Sequence, residues 1–201
     1  MKKNLLIFLT IFIQACAFTD ATLDVSHDPE ASFVGPLEQI ESLTFSDPIL
    51  EDKRVDRDRI GWKKNGYGMN TADIMTAEPV TDIVSKAITA GLSDNGHKQS
   101  ENGRIAISGT LNRFWFETDM NFWTVEFIGD VQCSLNFVDT LTNTTIYSSD
   151  YAGNYSEKKA GGLNKTWQRI MGKAVDKLVE DIIFDEDLLE AIESLPDRAE
   201  E

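Results

Sequence analysis

The chain has little with which to hold a metal, close a disulfide or cross a membrane. It contains two cysteines and two histidines in 201 residues. His27 and His97 lie far apart and in no ligand motif, so no metal or cofactor is expected, and each reads as a surface loop residue. No apolar run approaches the roughly 20 residues that a spanning helix needs. Cations are scarce as well, with 19 Lys and Arg against 34 Asp and Glu and a formal net charge of −15. Such a surface repels nucleic acid and anionic head groups, which excludes nucleic acid as an expected partner. The G-x-S-x-G elbow of a serine hydrolase is missing. Carboxylate pairs are too abundant to single out one for glycoside hydrolysis. The glycines between Asn65 and Asn70 open no obvious helix, so they make a poor phosphate loop. No catalytic residue is assigned, and the chain is read as a non-enzyme.

What is present begins at the N-terminus. Lys2 and Lys3 precede an apolar stretch from Leu5 to Ile13 broken only by Thr10. Its length and flanks are those of a secretory signal peptide, removed as residues 1–15. Ile13-Gln14-Ala15-Cys16 resembles the bacterial lipobox, in which the cysteine thiol takes a diacylglycerol group and the signal is cut just before it. The alternative is a cut after Ala17, on the small-x-small pattern of Ala15-Cys16-Ala17, which would release a soluble protein. Lipidation of Cys16 is the preferred reading, and it makes the membrane a partner through a lipid anchor whose several acyl chains hold stably. Ala17 stands where many inner-membrane lipoproteins have Asp, which points to the periplasmic face of the outer membrane. Cys133 is then left without a disulfide partner and reads as a small core residue.

Hydrophobic periodicity divides the rest into a lipidated tether (16–38), one α+β periplasmic domain (39–195) and a frayed tail (196–201). The tether is rich in Asp, Ser, Pro and Gly, with at most a short strand from Thr22 to Val25. A second short strand is expected over Glu41 to Phe45. Residues 51–70, charged in both signs, read as a long excursion. From Val80 to Leu92 the apolar residues fall on one helical stripe, after Pro79 and before Asp94-Asn95-Gly96. Two alternating segments follow, from Arg104 to Glu117 and from Thr124 to Asp139, and then a third over Thr144 to Ala152. In the first, Ile105, Ile107, Gly109 and Leu111 share a face that Arg113 interrupts, which signals a bulge or cover on both sides. A long helix carries Trp167, Ile170, Met171, Ala174, Val175, Leu178 and Ile182. Asp185 caps a last short helix ended by Pro196. The expected architecture is two-layered: an antiparallel sheet, made of a three-stranded meander plus one or two N-terminal strands, with two main helices on one face.

The aromatic run Phe114, Trp115 and Phe116, with Phe122 and Trp123 beyond the turn, reads first as the end of the core. Its sharper reading is a partner surface formed by Phe114, Trp115, Phe116 and Trp123, with Trp62 and Tyr67 either in the same patch or in a lid over the sheet. The partner would be an envelope protein or glycan.

Asp52-Lys53-Arg54 followed by Ile60-Gly61, the helix leading to Asn95-Gly96, the strand pair and the run Ile182 to Ile192 resemble the YajG-like family of bacterial lipoproteins. The resemblance covers residues 20 to 192. It implies an outer-membrane lipoprotein with an α+β periplasmic domain and no established activity, and carries over one functional position, Cys16. Asp52 and Arg54 are expected to form an ion pair that stabilises a turn. A non-catalytic binding or assembly module is therefore the leading expectation. An envelope enzyme acting on peptidoglycan or lipid, and an accessory subunit of a transport or lipopolysaccharide-assembly complex, stay open beside it.

Overall fold

A computed structural model describes residues 18–28, 33–120, 124–159 and 164–196. Ala21, Leu23 and Val25 alternate inward, and β1 (Ala21–Leu23) pairs in parallel with β5 (Asn70–Thr76). This corrects the expected tether: the chain is part of the core from Ala21 onward, and Leu37, in a short 3-10 turn over Pro36–Gln39, is buried too. Polar loop residues between the apolar ones hid the alternation.

The meander stands as expected, with longer strands. β7 (Ile105–Met120), β8 (Val125–Asp139) and β9 (Thr144–Lys159) pair antiparallel over almost their whole lengths. The rest of the sheet differs. β2 (Thr44–Phe45), β3 (Ile49–Asp52) and β4 (Gly61–Lys64) follow one another along the free edge of β7, all parallel to it, in the registers Phe45↔Ile105, Ile49↔Ser108 and Gly61↔Phe116. The sheet is thus mixed, not antiparallel. Parallel neighbours require a crossover, and α1 (Val80–Asp94) supplies it between β5 and β7. A two-residue strand, β6 (Lys98–Gln99), flanks β2. The charged stretch 51–70, expected to be a long excursion, includes the end of β3, the whole of β4 and the turn into β5, which pairs back on β4 as a hairpin.

α1 and the longer α2 (Asn164–Ile183) pack against each other and against the sheet, and α3 (Glu186–Glu193) follows. Asp185 caps α3 as expected, its carboxylate accepting from the amides of Asp187 and Leu188 at 3.0 and 3.1 Å. The approach of α2 to the sheet depends on two glycines. A Cβ on Gly153 would collide with the backbone of Ala174 and Leu178, and one on Gly129 would crowd Ile170 and Ala174. The face away from the helices is polar, carrying Ser108, Gln132, Ser134, Asn136 and Asp150, with links such as Asn112 Nδ2 to Ser134 Oγ at 2.7 Å. One covered and one solvated face is what the alternation requires.

Candidate partner surface and the tether end of the sheet

The aromatic run is sorted by a β-bulge. Leu111 pairs with Cys133 and Arg113 with Gln132, so Asn112 is an extra residue in β7. Because side chains alternate with period two, one inserted residue exchanges the faces. Before the bulge Ile105, Ile107 and Leu111 point into the core; after it Phe114, Phe116 and Thr118 do. Phe114 and Phe116 are therefore core residues, which corrects their assignment to a partner surface. Phe116 stacks on Phe127 at 6.2 Å and lies 5.6 Å from Trp167.

Trp115, displaced to the solvated face, stays half-buried. It meets Trp62 edge-on at 5.0 Å, and the Arg59 guanidinium lies 5.5 Å over the Trp62 ring. Its indole N–H donates to Glu117 Oε2 at 3.1 Å. Lys64 pairs with the other carboxylate oxygen of Glu117 and donates to the Thr118 carbonyl at 2.8 Å. Burial pushes the Glu117 carboxyl upward, but the hydrogen bonds from Lys64 and Trp115 outweigh it and hold the group below its usual range. The structure therefore brings Trp62 and Trp115 together and separates Phe114 and Phe116 from them. Trp123, Phe122 and Cys16 lie outside the described residues.

Tyr67 belongs elsewhere, at the end of the sheet where the chain comes in. The β4–β5 turn is closed by Asn65, whose side-chain oxygen accepts from the amides of Tyr67 and Met69 at 2.9 and 3.1 Å. Gly68 takes φ of +80°, a value few other residues adopt readily. This ordered turn leaves Tyr67 91% exposed and Met69 58% exposed. Phe18, 66% exposed, is beside it: Lys63 Nζ donates to the Thr19 carbonyl at 2.6 Å, and Asp20 accepts from the Asp73 amide at 2.9 Å.

The other polar residues singled out by sequence are structural. Arg54, almost fully buried, meets Asp52 through two nitrogens at 2.9–3.2 Å and donates to the carbonyls of Arg57 and Arg59. This is the expected ion pair, and it shapes the loop between β3 and β4, beside a cleft of about 420 Å³ that reaches Pro79. His97 is not a surface residue: it is buried between the Leu37 carbonyl at 3.0 Å and the Leu43 amide at 3.3 Å, and burial depresses its pKa. His27 is no free surface group either, since its Nδ1 lies 2.8 Å from the buried carboxylate of Asp176 on α2. Asp176 also pairs with Lys173 at 3.3 Å. These contacts pin residues 26–28 to the helix, a role that no local signal in the sequence announces. Burial and the carboxylates of Asp150 and Asp181 push the Cys133 thiol up to about 12, so it is inert at neutral pH. Among the described residues no three His, Cys, Asp or Glu side chains are grouped to hold a metal, and no helix is long and apolar enough to cross a membrane.

Several solved structures are similar to this chain. A protein of Xanthomonas campestris is similar over 87% of this chain and 97% of its own, at 10% identity and a TM-score of 0.53. A minor lipoprotein of Acinetobacter baumannii covers 78% of this chain and 96% of its own, at 13% identity and a TM-score of 0.42. The PelC dodecamer of Paraburkholderia phytofirmans covers 68% and 89%, at 12% identity and a TM-score of 0.36. At such identities the likeness of the Xanthomonas protein speaks for the fold alone, and the other two are too distant to argue from. No curated protein matches the chain. Residues 50–193, from the end of β3 through α3, match the family described as "Uncharacterized lipoprotein", and with most of its length so matched the chain belongs to that lipoprotein family.

Proposed function

We propose that the protein is a periplasmic lipoprotein held to the outer membrane by acyl chains on Cys16, and that its domain is a non-catalytic binding or assembly module of the envelope. The observation that carries this reading is the position of Cys16. It stands directly after the apolar signal stretch and only five residues before Ala21, the first residue of the sheet. An anchor so placed leaves the whole fold intact on the periplasmic side. Membership of a lipoprotein family supports the anchor, and Ala17 after the cysteine supports the outer membrane over the inner. The narrower kinship with YajG-like lipoproteins is part of the proposal, resting on Asp52-Lys53-Arg54 with Ile60-Gly61, the helix leading to Asn95-Gly96, the strand pair and the run Ile182 to Ile192.

The binding role rests on the Trp62–Trp115 pair, two half-buried indoles on an otherwise polar sheet face and the kind of residue that anchors interfaces. The test of the anchor is fatty-acid labelling in cells with separation of inner and outer membranes. The wild type is expected to take label and to fractionate with the outer membrane, and Cys16→Ser to lose both. Normal processing after Ala17 with unchanged membrane association in Cys16→Ser overturns the anchor.

A further inference from the structure

The two ends of the sheet are unequal in one respect that bears on the anchor: only one of them can reach the bilayer. Four residues separate Cys16 from Ala21, and over those five residue-to-residue steps a fully extended chain spans at most about 3.6 Å per step, or about 18 Å in all. β7 alone runs for 16 residues, about 50 Å of strand. β1 lies beside β5, which starts at Asn70 and runs away from the β4–β5 turn, so the chain comes in at the end that carries this turn. If Cys16 is acylated, that end is held against the leaflet and the β8–β9 turn is held away from it.

The same end exposes apolar side chains on ordered backbone. Phe18, Tyr67 and Met69 are all more than half exposed; Phe18 lies three residues before β1, and Tyr67 and Met69 lie in the turn that leads into β5, the strand β1 pairs with in parallel. Tyr67 is held out from the surface by a turn that its own hydrogen bonds close, so displaying it costs no further ordering. Tyrosine is enriched at the level of lipid head groups, where its ring is apolar and its hydroxyl stays wet. The charge agrees. In a chain of net −15, Lys63, Lys64, Lys158, Lys159 and Lys165 at this end face Asp20, Glu117, Asp119, Glu126 and Glu157 in equal number. Three of those carboxylates are paired directly, Glu117 with Lys64, Glu126 with Lys158 and Glu157 with Lys159. The tether end thus escapes the repulsion that the rest of the acidic surface would meet at an anionic leaflet.

We propose that Phe18, Tyr67 and Met69 form a membrane-contacting face that rests in the head-group region of the leaflet holding the anchor. The face orients the domain, setting the strands away from the bilayer and presenting the Trp62–Trp115 surface sideways into the periplasm. This proposal rests on the acylation of Cys16.

The test uses the acylated full chain in vesicles of phosphatidylethanolamine and phosphatidylglycerol that contain brominated lipid. A single environment-sensitive label is placed at Tyr67→Cys or, as the distant control, at Leu141→Cys in the β8–β9 turn. Cys133 is buried and unreactive, and an acylated Cys16 offers no thiol, so each variant carries one label. The expected result is loss of emission by lipid quenching at position 67 and full emission at position 141. Equal behaviour at the two positions overturns the proposal. So does a label at 67 that is shielded from an aqueous quencher but untouched by brominated lipid, which would place a protein partner or a second copy there. The acyl mass on Cys16 is measured in the same samples. Its absence overturns the anchor and this proposal together, whereas acylation without quenching at 67 overturns this proposal alone.

Discussion

The far end of the meander is closed by buried polar bonds and leaves one apolar side chain, Leu141, in water, whereas the tether end is closed by a tight turn and leaves Phe18, Tyr67 and Met69 there. At the far end Asp139 is buried and accepts from Arg104 at 2.7 and 3.2 Å, from the Leu141 amide at 3.0 Å and from Thr142 Oγ1 at 2.9 Å. The Arg104 amide in turn donates to Thr44 Oγ1 at 2.9 Å, tying β7 to β2. His97 does similar work nearby, joining β6 to the segment between Leu37 and Leu43. At the tether end the Asn65–Met69 turn satisfies itself and touches little else. The lesson is one of division. The end that binds its own chain carries stability, and the end that leaves side chains unused is available for contact with something else.

The largest effect expected from breaking this contrast is at Arg104. Arg104→Met keeps the bulk and strands the buried Asp139 carboxylate. Removing one partner of a buried pair costs about 3–5 kcal/mol, to be read as a lower urea midpoint. Next comes pH. The hydrogen bonds from Arg104 hold the Asp139 carboxyl below the usual range, more than offsetting its burial. A depressed folded pKa means that the unfolded chain takes up the proton first. The stabilisation is therefore complete above the unfolded value of about 3.9 and disappears as pH falls through the folded one. The stability gap between wild type and Asp139→Asn should be constant from pH 7 to 5 and should shrink below about pH 4. A gap that stays constant below pH 4 removes Asp139 from the account. The smallest effect sharpens the comparison from the other side. Tyr67→Ser, at an exposed turn tip, should shift stability by no more than about 0.5 kcal/mol, measured by the same urea titration. A larger loss would show that the tether end is a structural part after all.

How much of this could be read from the sequence varies element by element. The stripes of α1 and α2, the Asp185 cap and the alternation of β8 are local patterns, since the residues that make them are neighbours along the chain. The bulge in β7 was half legible: Arg113 broke the alternation, but two outcomes fitted the break. Only pairing with β8, where Leu111 and Arg113 meet Cys133 and Gln132, decides that Asn112 is extra and that Phe114 and Phe116 turn inward. The partner-surface reading failed at those two residues for this reason, while Trp115 stayed on the solvated face beside Trp62. The hairpin of β4 and β5 was illegible because β4 is four residues long with two lysines and β5 buries only Ile74 fully, and so was the parallel pairing of β2, β3 and β4 with β7.

By itself, then, the sequence determined the helices, the meander and the buried Cys133, because each depends on the identity and spacing of nearby residues. The tertiary structure alone decided which edge β2, β3 and β4 would join, that His97 would be buried and His27 tied to Asp176, and that Ala21 would already belong to the sheet. Those outcomes depend on contacts between residues roughly 50 to 150 positions apart, where chain-closing entropy grows only slowly with distance and packing selects the partner.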